Sequence, residues 1–181
     1  MNVGRPQPNP YKTTRSTGIG KVPQVGPVDV REPSDGTSGI AGDHIGDAQH
    51  HGGSRQALYA FAREDLDAWE ETLGRELPDG FFGENLTLVG IDPNEARVGE
   101  RWRIGDVVEV EVTDPRVPCA TFRGWLGQPG WLRTFTEANR PGAYLRIVTP
   151  GSVEAGDEIV VLHRPDGETI SEMFHRVMRR G

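Results

Sequence analysis

"ERWRIGDVVEVEVTDPRVPCATF", residues 100–122, is the stretch from which the rest of the chain is read. Val108, Val110 and Val112 alternate with Glu109 and Glu111, so a strand through them has one dry face and one wet face. Pro115 and Pro118 predict its end, because proline cannot donate to a sheet ladder. Behind them stands Cys119, the only cysteine in the sequence, with Arg116 three positions before it. A lone thiol makes no internal disulfide. It is either a small buried hydrophobe or a reactive group on a loop held by a rigid strand. A neighbouring arginine favours the thiolate, the form that attacks electrophiles and binds soft metals. Nucleophile, metal ligand and redox thiol are all open on this reading, with His44, His50 and His51 as candidate bases.

Outward from that strand, the pattern predicts short elements separated by turns. "QALYAF" (56–61) reads as a buried strand, and "REDLDAWEETLG" (63–74) as a helix with Leu66, Trp69 and Leu73 on one face. Glu64 and Asp65 suit its first turn and Gly74 its left-handed stop. "FFGENLTLVG" (81–90) predicts a strand entered through Gly83. Residues 121–138 predict two helical pieces around "GQPG", and "AYLRIVT" (143–149) and "EIVVLHR" (158–164) predict strands. Residues 169–180 form an amphipathic helix with Thr169 and Glu172 at capping-box spacing. "IGKVPQVGPVDVRE" (19–32) reads as strands broken by Pro and Gly, 33–54 as one long loop with six glycines, and 1–17 as a polar, extended or mobile arm. The class is α+β, mainly β: a barrel-like domain over 18–165 with a C-terminal helix, 166–181, packed on it.

The net charge of −7 makes nucleic acid polymers and anionic membranes poor partners. No apolar run approaches the ~20 residues needed to span a bilayer, and the start carries no secretory apolar region. With a single cysteine, a cytoplasmic location is the expectation. Lys12 and Lys21 are the only lysines, which leaves a Schiff base almost nowhere to form.

Other residues could carry chemistry. "GDHIGDAQHHGG" (42–53) offers Asp43, His44, Asp47, His50 and His51, a divalent-metal set by residue type that matches no established ligand spacing. The "HGG" within it lets backbone approach a ligand or cradle an anion. Asn85 in "FGENL" could read a ring edge or close its own turn. Arg140 stands on a turn.

In order, the sequence contains "GIGKVP" (18–23), "GPV" (26–28), "GIAGD" (39–43), "HGG" (51–53), "ALYAFAREDLDAW" (57–69), "FGENLT" (82–87), "IGD" (104–106), "PRVPC" (115–119), "RPGAYLRIV" (140–148) and "GSVEAGD" (151–157). This set resembles a stand-alone bacterial MOSC domain, the family named after the C-terminal domain of molybdenum-cofactor sulfurases. The resemblance implies a twisted β-barrel with a few peripheral helices that binds molybdopterin-type molybdenum cofactor. It implies Cys119 as the protein's ligand to the metal, and reduction of N-hydroxylated compounds, such as hydroxylaminopurine-like bases and amidoximes, to amines. Lys21, His51, Arg55, Asn85, Arg116 and Arg140 are the residues matched to cofactor binding. The chain departs from the family pattern at Ile45, at Ser54, Arg55 and Gln56, at Thr121, and at Ala143. The family is also linked to pyridoxal phosphate, which the scarcity of lysine disfavours here. The sequence has no cysteine set for an iron–sulfur cluster and no dinucleotide fingerprint, so electrons are expected from a separate flavoprotein or ferredoxin-like donor. The alternatives are a non-catalytic carrier of cofactor or sulfur, and a cysteine or metal hydrolase. Either a monomer or a homodimer fits.

Overall fold

The computed structural model describes residues 1–12, 16–34, 37–47 and 52–179. In chain order its strands are β1 (Asn2–Val3), β2 (Gln7–Pro8), β3 (Ser16–Thr17), β4 (Val22–Pro23), β5 (Val28–Val30), β6 (Leu58–Ala62), β7 (Leu86–Leu88), β8 (Arg101–Ile104), β9 (Val108–Pro115), β10 (Ala143–Thr149), β11 (Gly151–Val153) and β12 (Ile159–His163). The helices are α1 (Arg63–Leu73), α2 (Ala120–Leu126), α3 (Trp131–Ala138) and α4 (Ile170–Met178), with a 3-10 turn at Ser54–Gln56.

Six strands form the main sheet in the order β12-β8-β9-β10-β6-β7. All neighbours are antiparallel except β6 and β7, where Ala60 lies opposite Leu86 in parallel register. Sheet twist and the register shifts of β10, after Tyr144 and after Ile147, curl these strands. The expected barrel is a curled half-barrel: β12 and β7 are the two ends of the order and do not close on each other.

The strand β6 explains the layers. Its five residues are all buried, as a short apolar run predicts. Leu58 and Ala60 point into an aliphatic core with Val108, Val110, Val112, Leu145 and Trp102. Tyr59 and Phe61 point the other way, into an aromatic core with Phe82, Phe122, Trp131 and Phe135. That second core is where α1, α2 and α3 dock. The alternation of β9 is the expected one, with Val108, Val110 and Val112 buried and Glu109 and Glu111 only partly so. The helix ends also follow the sequence: Gly74 and Gly127 close α1 and α2 in left-handed conformation, and Thr169 with Glu172 forms a complete capping box on α4.

Of three further expectations one is narrowed, one changes and one holds. Of an extended or a mobile arm the first residues are the extended one, and they are docked: β1 pairs β4, and Asn2 is 2% exposed with its N–H donated to the Asn85 carbonyl at 2.7 Å. Residues 79–85 are turns rather than the start of a strand, and the ladder begins only at Leu86. The prolines end β9 as expected: Pro115, opposite Ala143, is its last residue. Among the described residues, no helix is long and apolar enough to cross a membrane.

Phe82 sits at the centre of the aromatic core, fully buried, with its ring 5.2 Å from Phe61, 5.0 Å from Phe122 and 5.7 Å from Trp131. Phe82→Ala is expected to lower unfolding free energy by about 3–5 kcal/mol, read from the urea midpoint at unchanged m-value.

Candidate functional site

β9 delivers the chain to Pro115, and Arg116–Pro118 carries it to Cys119, the residue before α2. Cys119 has extended backbone, and its carbonyl accepts the Arg123 N–H at 2.9 Å. Its side chain packs partly against the aromatic core and lines a cleft that is open to solvent. Ser16–Ile19, Lys21 and 43–47 line the same cleft, together with Gln56, Tyr59, Phe82, Asn85 and Tyr144. Gly18 permits this assembly, since a Cβ there would stand 2.1 Å from the His44 carbonyl oxygen.

Arg116 is the charged residue nearest this thiol in sequence, and it is 6% exposed. Its guanidinium lies 3.7 Å over the Phe122 ring and 5.5 Å over that of Tyr59. Among the described residues no carboxylate pairs with it, and its Nη1 is buried without a hydrogen-bond acceptor. A buried donor left unmet costs about 1–3 kcal/mol, and the residue that carries it is one of those lining the cleft. Burial raises the phenol pKa of Tyr59 and Tyr144, against the pull of Arg116, so both rings are neutral walls near pH 7.

Asp43 organises the far wall. One carboxylate oxygen takes the Lys21 ammonium at 2.5 Å and the Gly4 N–H at 2.7 Å; the other takes Ser38 Oγ at 3.2 Å and Asn85 Nδ2 at 3.4 Å. The pair is almost dry, with side-chain exposures of 9% for Lys21 and 4% for Asp43. Asn85 acts as a clamp: its Oδ1 accepts the Tyr59 N–H at 3.2 Å, and its Nδ2 also reaches the Asn2 carbonyl at 3.3 Å. Two ties cross the mouth, Lys12 to Asp47 at 2.6 Å and Ser16 Oγ to His44 Nε2 at 2.9 Å.

Of the residues matched by resemblance, Lys21, Asn85, Arg116 and Cys119 thus line one cleft. Arg55 does not: it forks onto Asp114 at 2.9 and 3.1 Å on the wet side of β9. Arg140 does not either, because Asp65 holds it at 2.9 Å over the Trp69 ring. His51 and His50 lie outside the described residues. The 42–53 loop gathers no metal-ligand cluster among the described residues, since Asp43 and Asp47 are taken by lysines. Sequence reasoning missed Tyr59, Tyr144 and Gln56 as lining residues. Alternation along "ALYAF" separates Tyr59 from Leu58, but nothing local says which face meets a cleft.

One family model, the MOSC domain, matches residues 47–160. The uncharacterized protein YflK of Bacillus subtilis is 30% identical over 178 residues, covering 98% of this chain and 78% of that protein. A Gibberella moniliformis protein named reductase is 29% identical over 132 residues, 71% of this chain but only 23% of its own length. The crystal structure of YiiM from Geobacillus stearothermophilus superposes with a TM-score of 0.78 at 26% identity, covering 99% of this chain and 82% of that one.

Behind the cleft, Glu84 is wholly buried, with Oε1 bonded to the Gly80 N–H and Thr87 and with Oε2 unpartnered. Burial pushes its carboxyl up to about 7, despite the hydrogen bonds that oppose the shift. A raised acid pKa means that the folded chain holds a proton the unfolded chain releases. The group's contribution is therefore most favourable below the ordinary value of 4.5 and is lost as pH rises through about 7. Stability measured from pH 4.5 to above 7 should fall by about 3 kcal/mol on this account, and Glu84→Gln should remove that slope.

Proposed function

This chain belongs to the MOSC domain family, and from that premise we propose that it is an oxidoreductase holding molybdenum cofactor through Cys119 and reducing N-hydroxylated compounds to amines. The observation that carries the proposal is the shared wall of Cys119 and Arg116, where a thiol and an arginine with an unmet buried donor line one cleft. These residue types fit the group. A thiolate is the soft donor that a molybdenum centre accepts, and a guanidinium grips the anionic or carbonyl oxygens of the pterin phosphate system. Bound there, the cofactor would supply two-electron reduction of N–OH to N–H, with water as the second product.

The protein's own part is to bind, orient and dry the site. Arg116 is fixed between two aromatic faces, so little order is lost when it bonds an acceptor. Asp43 pairs with the nearly dry Lys21 and fixes it in the cleft wall. The neutral Tyr59 and Tyr144 rings give a wall that sheds water and adds no anion of its own beside the arginine. The single cysteine cannot bind an iron–sulfur cluster as well, so the electrons come from a separate redox centre. The name of the Gibberella relative, reductase, agrees with this class of reaction.

Protein made in a molybdenum-replete host should carry close to one molybdenum per chain and reduce benzamidoxime with an electron donor. Cys119→Ala should lose both. Arg116→Ala should retain the thiol but hold cofactor about 10–100-fold more weakly. Molybdenum uptake without reduction would turn the reading to a carrier, zinc in its place to a hydrolase, and no metal in the wild type would overturn it.

A further inference from the structure

The two rims of the main sheet differ. At β7, Asn2 reaches over to bond Thr87 at 2.9 Å and the Glu84 carbonyl at 3.4 Å, so the N-terminal strand covers that rim. At the other rim, β12 pairs only β8 among the described residues. Its Val161 and Leu162 are 38% and 43% exposed, and the register shift between Val161 and His163 leaves Leu162 without a partner on β8. Within Ile159–His163 there is no proline or lysine, residues that commonly keep an open edge from pairing, and the bulge at Leu162 is the one such device the strand carries.

The charges around this edge mirror each other. Asp157 and Glu158 precede the apolar run, and His163 and Arg164 close it. A parallel pairing of two such edges would set acid on acid and base on base. An antiparallel pairing about Val161 sets Glu158 of one copy against Arg164 of the other, twice, with Val160 against Leu162 between them. Arg164 is already positioned for this: its Nε and Nη2 are anchored on buried Glu100 at 2.8 and 3.1 Å, while its side chain is 56% exposed. Glu158 is exposed, with its carbonyl fixed by the Gly105 N–H at 2.9 Å.

We propose that β12 is a homodimerisation edge, through which two copies of this chain pair antiparallel about a two-fold axis at Val161 and continue the sheet from one copy into the other. Such an isologous contact closes on itself and leaves no further open rim on that side. Backbone ladder bonds provide most of the attraction, and the two Glu158–Arg164 contacts fix direction and register.

The test is light scattering and sedimentation equilibrium on the full chain over a dilution series. The wild type should move from twice 19.9 kDa toward 19.9 kDa on dilution. Val161→Asp, which places like charges together on the axis, should be monomeric throughout. Glu158→Arg, which turns both cross-contacts repulsive, should weaken the dimer by about tenfold or more. Amide exchange along Ile159–His163 in the wild type should slow as concentration rises. A wild type that stays at 19.9 kDa overturns the proposal, as does a dimer that keeps its strength in both variants. Should Val161→Asp fail to fold, the surface variant Glu158→Arg and the wild-type exchange decide it.

Discussion

A strand buried on both faces is the constraint on which this molecule depends. Leu58–Ala62 has polar backbone and apolar side chains with solvent on neither side, so it must be paired along both edges and packed above and below. The aliphatic half of the sheet meets one face and the aromatic helices the other. Because successive side chains alternate, Tyr59 and Phe61 are committed to the aromatic side once Leu58 and Ala60 enter the aliphatic one. Tyr59 and Phe82 of that aromatic side also line the cleft.

The same layer explains Arg116. A buried guanidinium without a carboxylate is a costly state in water-free surroundings. Here the faces of Phe122 and Tyr59 stabilise part of its charge, and the cleft offers room for an acceptor. The chain therefore presents a cation that is held in place yet not neutralised. Lys21 differs, for Asp43 quenches it and four groups share that carboxylate. Of two cations on one cleft, the first is suited to gripping a ligand and the second to holding the walls together.

Much of the fold could be read from one dimension. The valine–glutamate alternation of β9, the period of α1, the capping box of α4 and the glycine stops are local rules, and each held because tertiary packing did not oppose it. The docking of the N-terminal segment is not legible in the sequence, for the opposite reason. Its polar, proline-rich composition carries no periodic signal, and its burial comes from hydrogen bonds to Asn85 and Thr87, more than eighty positions away. The sheet's failure to close is of the same kind, since closure depends on accumulated twist and on the rims.

By itself, then, the sequence determined the class, most of the elements and the place of Cys119 just past a strand end, because these follow from side-chain period, from proline and glycine geometry and from the count of one thiol. Only the tertiary structure decided which cations share the cleft with that thiol. Arg55, Arg116 and Arg140 are equivalent as letters. Asp114 draws the first to the wet side of the sheet, Asp65 draws the last onto α1, and Arg116 is left among aromatic faces with no carboxylate partner among the described residues. That choice rests on distances between residues far apart in the chain, which local pattern does not encode.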